Sequence, residues 1–335
     1  MPNAGAGTVG YDGPASAPEH DPGMDPQMAK KPASRPRAKT PDGAAQDTLA
    51  FLNADFMSSP DARALRVLSE YLEPAKRFED HDVRDTICFF GSARILEPEA
   101  AKAELAAARA ARSGGVASAQ QRVKMSRYYA EARELAQRLT QWSKELPGGK
   151  RYVICTGGGP GIMEAANRGA ADARGINIGL NIQLPFEQVA NPYSTRSLTF
   201  NFHYFFMRKF WFAYFAKAMV FMPGGFGTLD EMAEILTLCQ TLKLKKRMPM
   251  VLYGQDFWRR FLDLNVLIES GTISRDDLDL LHRSDTVDDA FDFITSELTP
   301  DIETPGETPS HVSGTLTVPL CDVCEPAPRK RGRPR

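Results

Sequence analysis

The sequence predicts an α/β fold, a doubly wound parallel sheet in a single domain with disordered tails. Three observations carry this expectation. Short apolar runs bounded by Gly or Pro alternate with helix-length stretches. Several of these runs are apolar throughout, as strands covered on both faces must be. Glycine-rich turns follow three of them, at the strand ends where an open parallel sheet binds its ligands.

The strand-like runs are residues 86–91, 152–156, 177–182, 198–202, 218–222 and 249–253, and the helical stretches are 124–143, 161–174, 204–217, 228–242 and 257–270. Alternation of this kind implies crossover connections and a Rossmann-like sheet. Two amphipathic segments, 47–58 and 61–78, precede the first strand and are expected to pack against the sheet domain or a partner subunit. The domain is expected over 46–298. Within it, 98–112 is Ala-rich and a good helix former before Ser113-Gly114-Gly115 breaks it. The stretch 97–121 therefore reads as an inserted helix and loop with weak claims to function. Residues 1–45 and 299–335 have few large apolar side chains and too little burial to offset their ordering entropy, so both are expected to be disordered.

Composition sets bounds on function. A net charge of −1 over 335 residues excludes a globally basic nucleic-acid binder, and 42% apolar residues allow a sizeable core. No signal peptide is visible at the start. The most apolar stretch, 202–221, is interrupted by His203, Arg208, Lys209 and Lys217, so no membrane span is expected. The five cysteines form no disulfide framework, and the setting expected is cytoplasmic and reducing.

Chemistry is concentrated at the glycine-rich turns. The first is Gly91-Ser92-Ala93-Arg94, the second Thr156-Gly157-Gly158-Gly159-Pro160-Gly161, and the third Pro223-Gly224-Gly225-Phe226-Gly227-Thr228. Glycine lets backbone approach a ligand, and the helix that follows offers free N–H groups and a positive dipole end. A tight turn alone also needs glycine, but two long ones on one sheet edge favour a phosphate. Neither turn spells a P-loop, since no Gly-Lys-Ser/Thr follows, and no ribose-binding acid stands about twenty residues on from the second. Binding of a nicotinamide dinucleotide is thereby disfavoured.

Two further residues stand out. Thr228 and Glu231 have capping-box spacing, with Thr228 as the N-cap, which by itself explains Glu231. A carboxylate at the mouth of a phosphate turn nevertheless repels the anion, so a role in holding ribose hydroxyls or the attacking water stays open. Glu164 is equally ambiguous, because the helix dipole alone favours an acid there. Arg208 lies in an apolar helix beside Lys209, and a buried guanidinium needs an anionic partner. The alternative is that both side chains snorkel to the surface.

The segment Pro223-Gly224-Gly225-Phe226-Gly227-Thr228-Leu229-Asp230-Glu231 resembles the P-G-G-x-G-T-x-x-E signature of the LONELY GUY family, phosphoribohydrolases of nucleoside monophosphates long misnamed lysine decarboxylases. Phe90-Gly91-Ser92, the turn from Gly157 to Glu164 and Met207-Arg208-Lys209 resemble the same family in the same order. The resemblance covers roughly 62–294. It implies that Arg208 and Glu231 are catalytic. It also implies that Gly91, Ser92, Gly157, Gly158, Gly159, Gly161, Glu164, Lys209, Pro223, Gly224, Gly225, Gly227 and Thr228 hold the nucleotide and its 5′-phosphate.

The activity implied is hydrolysis of the N-glycosidic bond of a purine nucleoside 5′-monophosphate, AMP or an N6-modified AMP, to free base and ribose 5-phosphate. No metal and no cofactor are implied, and the protein is expected to be a homo-oligomer, a dimer or larger. The long N-terminal region and the 97–121 insertion depart from compact plant-type members, which weakens the expectation of a cytokinin precursor as substrate. A second expectation is a non-catalytic nucleotide or cofactor carrier of the same fold, since some relatives carry a molybdenum cofactor. A pyridoxal-dependent decarboxylase is disfavoured, because no lysine has a setting suited to a cofactor aldehyde. The C-terminal run Arg329-Lys330-Arg331-Gly332-Arg333-Pro334-Arg335 resembles an AT-hook, which would add a weak DNA contact; the alternative is a solvated basic tail. Cys321 and Cys324 form one C-x-x-C pair, too few ligands for a zinc site.

Overall fold

The computed structural model describes residues 49–111, 115–146, 151–185, 190–244 and 248–300. The chain forms two units, Met1–Phe56 and Met57–Arg335. The first contains a 3-10 turn at Ala50–Leu52, the boundary falls within α1 (Ala54–Ser58), and neither element contains a buried residue. Apart from Thr299 and Pro300, both expected tails, with the AT-hook-like run and the Cys321/Cys324 pair, lie outside the described residues.

The second unit holds a seven-stranded sheet. Its strands are β1 (Thr86–Phe90), β2 (Val153–Thr156), β3 (Asn177–Ile182), β4 (Thr199–Phe202), β5 (Ala216–Phe221), β6 (Met250–Tyr253) and β7 (His282–Ser284). All neighbours are parallel, in the order β4-β3-β2-β1-β5-β6-β7. The doubly wound α/β sheet expected from the sequence is the fold of the protein. The edge strand β7 adds to the six expected; three polar residues give no apolar run to detect.

Continuous apolar strands arise because both faces are covered. Alternate side chains of a strand point to opposite faces. In β1, Ile87 and Phe89 join Ile154, Val220 and Val251 in one layer, closed by α5 (Arg127–Glu145), α6 (Ile162–Asp172) and α11 (Val287–Leu298). Cys88 and Phe90 join Met219, Phe221 and Leu252 in the other, closed by α2 (Arg63–Asp80), α7 (Phe205–Phe215) and α8 (Phe226–Gln240). No position on β1 faces water, so none is polar for solvation's sake.

Three stretches differ from the sequence expectation. The inserted helix and loop fold as two helices, α3 (Pro98–Ala110) and α4 (Val116–Met125), held by the fully buried Ala101 and Ala119. The single helix expected at 257–270 is two short ones, α9 (Gln255–Trp258) and α10 (Asn265–Glu269). Asp263 explains the restart, since its carboxylate accepts from the Asn265 N–H at 3.0 Å and caps a new turn. The helix after the third glycine turn begins at Phe226 with Gly225 as N-cap, not at Thr228. Thr228 therefore lies inside the helix, and the capping-box reading of Thr228 and Glu231 does not hold.

Placement of α7 is set by a carboxylate from α2. Glu70 accepts from the backbone N–H groups of His203 at 2.7 Å and Tyr204 at 3.2 Å, at the start of α7. The Glu70 carbonyl accepts from the Trp211 indole at 2.9 Å, two turns further along. These bonds satisfy orphan donors at a helix start and place negative charge at its positive end. Glu70→Ala is expected to destabilise the fold by about 0.5–2 kcal/mol, read as a lower urea midpoint at unchanged m-value, with Glu70→Gln less affected.

Candidate active site

The chain winds outward from β1 through β2, β3 and β4, then returns to the other side of β1 with β5. Strand order reverses between β1 and β5, so the crevice beyond their carboxyl ends is the topological switch point, where such sheets bind ligands. The first and third glycine turns begin there, after Phe90 and Phe221.

Ser92 joins the three turns. Its N–H donates to the Pro223 carbonyl at 3.0 Å, and its carbonyl accepts from the Ile162 N–H at 3.1 Å. Such close backbone approach demands glycine. Gly161 adopts φ 71°, and a Cβ there would overlap the Ser92 carbonyl oxygen. Gly224 is required for a different reason: a Cβ would overlap the Thr228 hydroxyl, which folds back over the turn from the first turn of α8.

The second turn is fixed from beneath by a buried amide network that the sequence reading missed. Thr156 Oγ1 donates to Asn167 Oδ1 at 2.6 Å and accepts from the Gly158 N–H at 2.9 Å. Asn191 donates through its amide to Asn167 Oδ1 at 3.0 Å and to the Gly159 carbonyl at 3.1 Å, and its backbone N–H reaches the Gly158 carbonyl at 2.9 Å. Asn167 Nδ2 donates to Asn177 Oδ1 at 2.8 Å. In a water-free setting every amide atom needs a partner, so the network holds one geometry. No one-dimensional pattern links positions 156, 167, 177 and 191; only the β2–α6–β3 packing brings them together.

A cavity of about 330 Å³ opens at the switch point. Of the residues expected at the ligand, Ser92, Pro223, Gly224 and Gly225 line it, and α4 forms the facing wall. Gly225 caps α8 without a side chain and lines the cavity, so the start of a 15-residue helix, with its N–H groups uncapped by any side chain, lies beside it. Gly91, Gly157, Gly158, Gly159, Gly161 and Gly227 lie in the turns around it but not in its lining. Glu164 and Lys209, also expected at the ligand, are engaged elsewhere. Glu164 accepts from the Tyr129 hydroxyl at 2.8 Å, and Lys209 pairs with Asp230 at 2.8 Å and Glu234 at 2.9 Å, tying α7 to α8.

Arg208 and Glu231 meet between α7 and α8. A guanidinium Nη of Arg208 donates to Glu231 Oε1 at 3.2 Å, with the two side chains only 14% and 6% exposed. The guanidinium lies 5.2 Å from the Phe205 ring and 5.7 Å from that of Phe212, and its Nε is buried with no partner among the described residues. Burial pushes the Glu231 carboxyl up to about 7, against the opposing pull of Arg208 and Lys209. The same burial draws Arg208 downward, yet a guanidinium keeps its charge throughout the neutral range. The pair lies outside the cavity lining. Glu231 sits about 7–8 Å along the axis from the first residue of α8, at 1.5 Å per residue.

The fold and site together define a parallel α/β protein with glycine-built turns and a cavity at its switch point, and a buried Arg–Glu pair between α7 and α8. Residues 163–294 match the family described as "Possible lysine decarboxylase", which supports the LONELY GUY resemblance read from the sequence. Similar solved structures include the molybdenum cofactor binding protein from the phototrophic bacterium Rippkaea orientalis, 18% identical over 64% of this chain and 97% of that one, with a TM-score of 0.40. They also include the Moco carrier protein from Chlamydomonas reinhardtii, 20% identical over 65% and 99% of the two chains, with a TM-score of 0.39. No curated protein sequence matches the chain. Among the described residues no helix is long and apolar enough to cross a membrane.

The free protein is expected to show one glutamate titrating near pH 7, followed by carbon-13 NMR of the side-chain carboxyls and assigned through its loss in Glu231→Gln. In Arg208→Gln that midpoint is expected to move higher, because the group that favours the carboxylate has gone. A midpoint near 4.5 in the parent protein would contradict the burial argument.

Proposed function

We propose that this chain hydrolyses the N-glycosidic bond of a purine nucleoside 5′-monophosphate, AMP or an N6-modified AMP, releasing the base and ribose 5-phosphate. The observation that carries this reading is the desolvated Arg208–Glu231 pair, set along the helix whose N-terminus opens at the glycine turn. A phosphate at that N-terminus directs the ribose along the first turns of α8 toward Glu231. In the reaction the bond from C1′ to the base nitrogen breaks, and its electron pair leaves with the base, which takes up a proton. Water then bonds to C1′ and loses a proton, so one water is consumed overall. The ribose carries oxocarbenium character at the transition state, as in glycoside cleavage generally.

A carboxyl group titrating near neutrality suits this task, because a useful fraction is ionised at pH 7 while the group remains poorly solvated. Ionised Glu231 stabilises the cationic ribose or anchors its hydroxyls. Arg208 holds Glu231 in place and offers its unpartnered Nε N–H to the phosphate or the departing base. Incubation with AMP, GMP, CMP and N6-isopentenyl-AMP, followed by chromatography of free base, is expected to show release from a purine nucleotide. Glu231→Ala and Arg208→Ala are each expected to lower release by at least about a hundredfold, the lower end for general acid–base groups, with the melting curve still cooperative. Retained release in both variants would remove the pair from the mechanism.

One observation favours a second reading, a carrier that holds a nucleotide-like ligand without cleaving it: the pair lies outside the lining of the cavity. Binding of AMP by calorimetry with no base release after prolonged incubation would select this reading over hydrolysis.

We further propose that the protein works as a homo-oligomer. Leu65, Leu68 and Leu72 form an exposed row on α2, and Phe206 and Phe210 are exposed on α7. The rings of Tyr71 and Phe210, 5.6 Å apart, join the two rows into one face on the reverse of the helix that holds Arg208. An apolar face of this kind is rare on monomers. Sedimentation is expected to give a dimer or larger species, and Leu68→Asp with Phe206→Asp to shift it to monomer; a monomeric parent protein would refute this assignment.

A further inference from the structure

We infer that the α3–α4 insertion belongs to the ligand site, with Arg122 of α4 and Arg94 of the first turn together gripping an anionic group of the ligand. This rests on the nucleotide-site reading above and deepens it, since it names residues outside the glycine signature as the phosphate's side-chain partners. Three observations carry it. First, Ser118, Gln121 and Arg122 line the cavity opposite Ser92 and Gly225, so α4 faces the helix N-terminus across the site. Second, the lining contains two arginines and no carboxylate, and these point charges add to the positive end of α8. Third, the insertion is anchored, not loose. Ala101 and Ala119 are fully buried, and Glu97 at the base of α3 pairs with Arg168 of α6 at 2.8 Å.

Arg122 is held ready without being consumed. Its Nε donates to Glu104 of α3 at 2.6 Å and one Nη to the Ser118 hydroxyl at 2.9 Å, on a side chain that remains 43% exposed. The guanidinium has five N–H donors in a planar fork, so these two bonds fix its plane and leave others for an oxyanion. Glu104 acts as a counter-charge that a phosphate must share or displace. Glu104 is therefore a positioning residue that also sets the threshold for anion binding.

The test measures AMP, adenosine and inorganic phosphate by calorimetry on the full-length protein at low and at moderate salt. Arg122→Gln is expected to weaken AMP and phosphate roughly ten- to a hundredfold, the range for a hydrogen bond to a charged group, with adenosine unchanged. Glu104→Gln is expected to tighten AMP several-fold and to steepen its salt dependence, because the site becomes more positive. Because Arg122 lies on an exposed helix face, an unchanged melting curve confirms that Arg122→Gln folds. Parent protein that binds AMP, with the same affinity in Arg122→Gln, overturns this inference and leaves the nucleotide site standing. Parent protein that binds neither AMP nor phosphate overturns the nucleotide reading and this inference with it.

Discussion

The carboxyl edge of the sheet depends on backbone meeting backbone at Ser92. Its N–H is committed to the turn after β5 and its carbonyl to the helix after β2, so the ends of β1, β2 and β5 cannot move independently. The requirement is steric as well as polar. Where chains approach this closely a Cβ does not fit, and Gly161 and Gly224 are the positions that meet that limit. The start of α8, the cavity beside it, and Arg94 and Arg122 in its lining gather around that junction.

The buried Arg208–Glu231 pair is costly to the fold. Taking an arginine and a glutamate out of water costs several kcal/mol per ion before their attraction is counted, and that burial pushes the Glu231 carboxyl upward against the pull of Arg208. Packed apolar side chains of the same volume often do as well or better. Arg208 keeps a buried Nε with no partner among the described residues, and strongly perturbed charges of this kind cluster at functional sites. Its neighbours support the geometry: Lys209 is bound to Asp230 and Glu234, which locks α7 to α8, and Glu70 pins the start of α7. A small displacement of either helix would separate the two charges.

Much of the architecture was legible because two-sided burial leaves a strong mark. Residues 86–91 and 218–222 read as strands since the strands they mark, β1 and the core of β5, are buried on both faces; the first two residues of β5, Ala216 and Lys217, were instead expected in the preceding helix. Those same rules fail at β7, where three polar residues at the sheet edge carry no pattern, and at 257–270, where one helix ends at Trp258 and Asp263 accepts from the first N–H of the next. At α8 the boundary moved because the third turn enters the helix directly after Gly225. Thr228 is thereby converted from a presumed cap into a residue that closes the turn from above.

The sequence by itself determined the class of fold and the three glycine turns, because each is written in local residue types: apolar runs and glycines at strand ends. The pairing of Arg208 with Glu231 came from the family resemblance. Tertiary structure alone decided which of these meet. It placed Arg208 3.2 Å from Glu231, turned Lys209 and Glu164 toward protein partners, and drew Thr156, Asn167, Asn177 and Asn191 into one network. It also laid the Ala-rich insertion against the glycine turn. The physical reason is the same in each case. These contacts join residues far apart in the chain, and their strength comes from desolvation and from partners supplied by other elements, neither of which a local stretch of sequence records.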